Sequence, residues 1–145
     1  MTVDLVLQEN GIYATLAGIL GGFAFATLIT LFEMEKKGKL ITATTILFAI
    51  ATFMFLLALL AFVLIYAVVA ETNMTFYNLG TLGAYALFDA YGAIFVLLAG
   101  IGLAGWIHSK ATGVATTILT LVFSCLSGVV IIYVFKVLAS VAITQ

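Results

Sequence analysis

The chain has 145 residues, 66% of them hydrophobic and 8% charged, with a mean hydropathy of +1.36 and a formal net charge of −1. That leaves too little polar surface to cover a water-soluble globule of this size, so lipid must be the main solvent. Five lysines with no arginine are too few for a nucleic-acid-binding surface, and a single cysteine excludes a disulfide framework.

Residues 1–10 contain Asp4 and Glu9 but no Lys or Arg, so they lack the basic start of a cleaved secretory signal, and the first helix is expected to persist. A charge-free run over 10–32 predicts a transmembrane helix near 11–32. Within it Ala14, Gly18, Gly22 and Ala26 recur every four residues, a spacing of small side chains that lets two backbones approach closely in lipid. This face serves either packing inside one bundle or self-association between protomers. The turn that follows holds Glu33, Glu35, Lys36, Lys37 and Lys39 and is read as a solvated topology anchor.

The next charge-free run, 40–70, predicts a second helix near 41–69. Its 31 residues would measure about 46 Å if straight, so it must tilt or project from the bilayer. No proline occurs anywhere, which removes the usual cause of a sharp kink. Residues 73–82 form a lead-in with too little pattern to predict a helix, and Asn73-Met74-Thr75 within it is a candidate N-glycosylation sequon.

A third helix is predicted near 83–107 and a fourth near 114–142, joined by a short turn carrying His108 and Lys110. Asp89 in the third and Lys136 in the fourth are ionisable groups inside apolar stretches, at matching depths of roughly 10 Å. Such groups usually mark function or a specific partner. They are expected either to pair as a structural salt bridge or to form an ion or proton site. Thr112, Thr116, Thr120, Ser124 and Gly128, with Ser127 beside them, make a hydroxyl stripe on the fourth helix. It either packs helices or lines a polar path. Cys125 is expected to be a buried, small apolar core residue, and neither it nor His108 has neighbours for a metal site, so no metal or other cofactor is expected.

The chain also repeats itself. Gly11-x-Tyr13-Ala14 returns as Gly83-x-Tyr85-Ala86, and Ala43-Thr44-Thr45-Ile46-Leu47 as Ala115-Thr116-Thr117-Ile118-Leu119, both at an offset of 72 residues. At that offset 16 of 73 aligned pairs are identical, roughly twice what composition alone would give. Residues 1–72 and 73–145 are therefore read as two copies of one membrane hairpin within a single membrane domain spanning 1–145. The lysines at 36, 37, 39 and 110 place both hairpin turns in the cytoplasm, which leaves both termini outside. The tyrosines at 13, 66, 77, 85, 91 and 133 then fall toward the outer ends, and Trp106 toward the inner boundary.

The expected fold is an all-α, multi-pass integral membrane protein: four transmembrane helices as two tandem parallel-repeat hairpins in an N-out, C-out four-helix bundle. Catalysis is not expected, because no nucleophile has a base at its depth and no ligand cluster or phosphate loop appears. The leading expectation is a non-catalytic role in assembly, as a structural or accessory subunit of a larger membrane complex or a multi-copy envelope component. Its partners would be lipid and other membrane subunits or further copies of itself. The competing expectation is a small oligomeric ion or proton channel or carrier using Asp89, Lys136 and the hydroxyl stripe.

Overall fold

A computed structural model describes residues 3–35, 38–72 and 77–143, with side chains over 3–35, 38–72 and 81–132. It contains four long helices: α1 (Val3–Glu33), α2 (Lys39–Thr72), α3 (Tyr77–His108) and α4 (Lys110–Ile143). All four are long and apolar enough to cross a membrane, as a multi-pass membrane protein requires. With 31 to 34 residues each, they would measure about 46–51 Å if straight, well past a hydrocarbon core of about 30 Å.

Two helices begin earlier than the apolar runs alone suggest. α1 starts at Val3, eight residues before Gly11, and α3 at Tyr77, six before Gly83. The polar lead-in of α1 has no reason to unwind, since it contains neither proline nor glycine before Gly11. Asp4 lies in its first turn, where an anion favours the helix dipole. Asn10, a residue that often ends helices, instead donates its side-chain amide to the Val6 carbonyl at 2.8 Å.

The helices pack in chain order, α1 on α2, α2 on α3 and α3 on α4. The core lies along α2. Its buried positions, Thr44, Phe48, Ala51, Thr52, Phe55, Ala58, Phe62, Ile65 and Val69, recur every three or four residues apart from the adjacent Ala51 and Thr52, and so form one stripe. α1 meets that stripe with Ala17, Gly21, Ala24, Leu28 and Leu31, and α3 with Ala86, Ala93 and Leu97. Glycine sets the closeness of fit at two points. A Cβ at Gly21 would lie 3.0 Å from the Phe55 Cβ, and one at Gly100 would lie 3.0 Å from the Phe48 ring. Each large ring fits where the facing helix has no side chain.

The turn between α3 and α4 is a single residue, Ser109. Its hydroxyl accepts from the Thr112 backbone N–H at 3.1 Å and lies 2.8 Å from the Thr112 hydroxyl, capping the start of α4. The Trp106 indole covers Gly113, leaving no room there for a side chain. Its Nε1–H also donates to the Thr117 hydroxyl at 3.0 Å, fastening the two helices beside the turn.

Candidate functional site

α3 is the element on which the polar groups converge, and it presents two distinct packed sides. One faces α2: Gly83 lies against Ile65, Gly92 against Met54 and Gly100 against Phe48, with Ala86, Ala93 and Leu97 buried between them. A second carries α4. The Thr116 hydroxyl donates to the Gly102 carbonyl at 3.1 Å and the Thr120 hydroxyl to the Leu98 carbonyl at 3.2 Å. At Gly105 a Cβ would collide with the Thr116 hydroxyl and approach the Thr112 carbonyl to 2.9 Å. The helices touch backbone to side chain there.

Asp89 lies three residues after Ala86, three before Gly92 and four before Ala93, so it sits half-buried within the side turned to α2. From Asp89 to Leu98 is nine residues, about two and a half helical turns, which places Asp89 on the opposite side of α3 from the α4 seam. Depth and azimuth therefore give different answers about a salt bridge to α4. The side chain of Lys136 lies outside the described residues. Among the described residues no hydrogen-bond or ion-pair partner reaches the Asp89 carboxylate.

The hydroxyl stripe of α4 divides along its length. Thr112, Thr116 and Thr120 are engaged at the turn and the α3 seam, whereas Ser124 and Ser127 are half-buried and nothing lies within 4 Å of a Cβ placed on Gly128. Thr116 also shares its proton with the Thr112 and Gly113 carbonyls of its own helix, at 2.9 and 3.1 Å. The small-residue face of α1 divides similarly. Ala14 packs against the core and Gly18 lies 3.9 Å from Leu59, but Gly22 and Ala26 are exposed, with nothing within 4 Å of a Cβ at Gly22.

The remaining candidates lie apart from these. Glu33, Glu35, Lys39, His108 and Lys110 are all exposed at one end of the helices, Lys36, Lys37 and Asn73 lie outside the described residues, and Cys125, expected in the core, is instead a free, exposed thiol on the side of α4 away from α3. Among the described residues no three His, Cys, Asp or Glu side chains come together. A crevice of about 60 Å3 runs between α1, α2 and α3, lined by Tyr13, Leu16, Ala17, Leu20, Phe55, Phe62, Leu87, Ala90, Tyr91 and Ile94. The Tyr13 ring packs on Phe62 with centroids 5.4 Å apart. The crevice wall is apolar throughout, which suits filling by hydrocarbon better than by solutes.

The glycines at the α3–α4 seam, Gly102 and Gly105, together with Gly113 and Trp106 at the turn, are the residues that reading by four-residue spacing misses. The signal was the cluster Gly100-x-Gly102-x-x-Gly105 facing a threonine-rich helix start. Comparison with protein families, curated proteins and solved structures gives no match for this chain.

Proposed function

We propose that this protein is a non-catalytic integral membrane component whose role is assembly, as a structural or accessory subunit of a larger membrane complex. The observation that carries this reading is the use made of the α4 hydroxyls. Thr116 and Thr120, the groups best suited to line a polar path, are directed at α3 carbonyls. A channel or carrier would need such groups to face water. The wide unpacked surface of α4 adds support: between Lys110 and Ile132 only Gly113 is buried, while Leu121, Phe123, Val129 and Val130 are all exposed. That surface suits lipid or the helices of other subunits.

The topology we propose places both termini outside and the Glu33–Lys39 and His108–Lys110 turns in the cytoplasm, following the lysines. The tandem-repeat reading gains support from register. Gly21 opposes Phe55 in the first hairpin, and adding 72 to both gives 93 and 127, one residue out of register with the observed Gly105–Thr116 contact of the second. The antiparallel registers thus agree to within one residue, although the side of α3 equivalent to the α2-facing side of α1 is turned to α2 rather than to α4. α1 and α3 turn equivalent faces to α2, with Asp89 standing where Ala17 stands in the first copy.

The test is extraction from native membranes in mild detergent, followed by native mass measurement and flux assays in liposomes. Assembly predicts a complex with other membrane subunits and no flux from the isolated chain. A closed homo-oligomer that conducts ions would replace this reading with the channel.

A further inference from the structure

We infer that the crevice between α1, α2 and α3 is a lipid site that seats one acyl chain of a phospholipid with an ammonium headgroup, of the phosphatidylethanolamine kind. The site stands whether or not the chain has protein partners. α1 and α3 both pack on α2, and the crevice is the seam left between them. Leu16 on its rim is 52% exposed, so it opens to the bilayer. Its wall is apolar throughout, and at about 60 Å3 it has the volume of about two waters. That is room for a few methylenes of one linear chain and none for a ring system.

Hydrogen-bonding groups stand at the end of the crevice away from the lysine turns. Leu87, Tyr91, Ile94, Leu98, Gly102 and Gly105 follow one another by steps of three and four, so the side of α3 that lines the crevice is also the side that receives α4 further along. Thr116 meets Gly102 and Thr120 meets Leu98, and that antiparallel register, carried seven residues on, sets Ser127 opposite Tyr91. Among the described residues no hydrogen bond engages Ser124, Ser127 or the Tyr91 hydroxyl, and nothing lies within 4 Å of a Cβ on the adjacent Gly128. Hydroxyls left so in an apolar setting carry a penalty that an incoming acceptor removes. Ser127 is 17 residues, about 26 Å, from Lys110 across a hydrocarbon core of about 30 Å, which is the level of a phospholipid's ester carbonyls, groups that only accept. Tyr13, its ring on Phe62, closes the crevice beyond them, and its hydroxyl has no partner among the described residues. Glu9 lies one turn, about 6 Å, further out. The charged residues described beyond the crevice, Asp4, Glu9 and Glu71, are all acidic. A headgroup with an ammonium outside its phosphate complements that order: the phosphate oxygens accept from Tyr13 and the ammonium meets Glu9, whereas phosphatidylglycerol brings no cation.

The full chain in mild detergent is titrated with dioleoylphosphatidylethanolamine and with dioleoylphosphatidylglycerol, and bound lipid is counted by native mass spectrometry. The native chain should bind the ethanolamine lipid about two- to fivefold more tightly, the range of a solvent-exposed ion pair. Glu9→Gln should abolish that preference and leave both lipids bound. Tyr91→Phe combined with Ser127→Ala should weaken both lipids alike, because their esters are the same. Ala90→Phe, which fills the crevice, should weaken both most, with melting followed by circular dichroism to show that the fold is kept. A second measurement needs no variant: phosphatidylethanolamine with a photoactivatable acyl chain should label Leu16, Leu20 and Ile94 ahead of the exposed Leu121 and Val129 of α4. Equal affinity for the two lipids, a preference that survives Glu9→Gln, or labelling spread evenly onto α4 overturns the proposal.

Discussion

The two seams of α3 join helices by different means. Toward α2 the contact is made of apolar side chains set against glycine, Phe48 on Gly100, Met54 on Gly92 and Ile65 on Gly83. Toward α4 it is made of threonine hydroxyls on backbone carbonyls, with Gly102 and Gly105 admitting them. In lipid there is no hydrophobic force to bring apolar helices together, so packing and interhelical hydrogen bonds must do it. The first seam relies on shape alone and buries its residues deeply. The second relies on a few directional contacts and leaves most of the described part of α4, Lys110–Ile132, exposed.

The comparison breaks most sharply at the ring seam. Phe55→Ala should destabilise the chain by about 3–5 kcal/mol, because the ring is 1% exposed and is held between α1 and α3. Phe53→Ala, on the exposed side of the same helix, should change stability by less than about 0.5 kcal/mol. Reversible unfolding in mixed detergent micelles measures both. Equal effects would mean that the α2 stripe is not the core.

At the hydroxyl seam the sensitive atoms are absent ones. Gly105→Ala should cost about 1–3 kcal/mol by forcing Thr116 and the Thr112 carbonyl away. Spin labels on α3 and α4 should move apart. Gly128→Ala, where a Cβ meets nothing within 4 Å, should be neutral or stabilising by up to about 1 kcal/mol through helix propensity. Opposite signs at two glycines would locate the seam along α4.

Smaller effects distinguish a bond across the seam from one within a helix. Thr120→Val removes a hydroxyl that reaches the Leu98 carbonyl and should cost about 0.6 kcal/mol. Thr52→Val removes only a bond to the Phe48 carbonyl four residues back, which its own helix already satisfies, and should cost less. The same micelle unfolding reads the difference. A larger loss at Thr52 would place the useful hydrogen bonds on the wrong helix.

Four spans were legible in the sequence because length and lack of charge decide them, whatever each helix touches. Which side of each helix faces a neighbour was not. Helices apolar all round carry no amphipathic signal, since lipid and protein interior select similar side chains. Leu56 and Leu57 are exposed while Phe55 is buried, and nothing in residue type separates them. Asp89 was legible as an unusual residue at a stated depth; its azimuth was not, because that depends on which side of α3 receives α4. The helical lead-ins at Val3 and Tyr77 were hidden for a third reason, that a polar segment continuing a long helix needs no apolar pattern of its own.

The small-residue face of α1 gives the smallest predicted effect. Steps of four residues turn about 400° around a helix, so a line drawn through them drifts by about 40° per step and by about 120° over the three steps from Ala14 to Ala26. The drift carries the line off the seam: Ala14 packs on the core, Gly18 touches Leu59, and Gly22 and Ala26 are exposed. The residues that stay on the seam, Ala17, Gly21, Ala24 and Leu28, mix steps of three and four and so hold their azimuth. Ala26→Leu should therefore change the stability of the isolated chain by less than about 0.5 kcal/mol in micelles. Ala24→Leu, two residues away and fully buried, should cost about 1–3 kcal/mol. Should Ala26→Leu prove as harmful as Ala24→Leu, α1 would be rotated by half a turn from its place here, and the face of α2 that receives it would have to be reassigned with it.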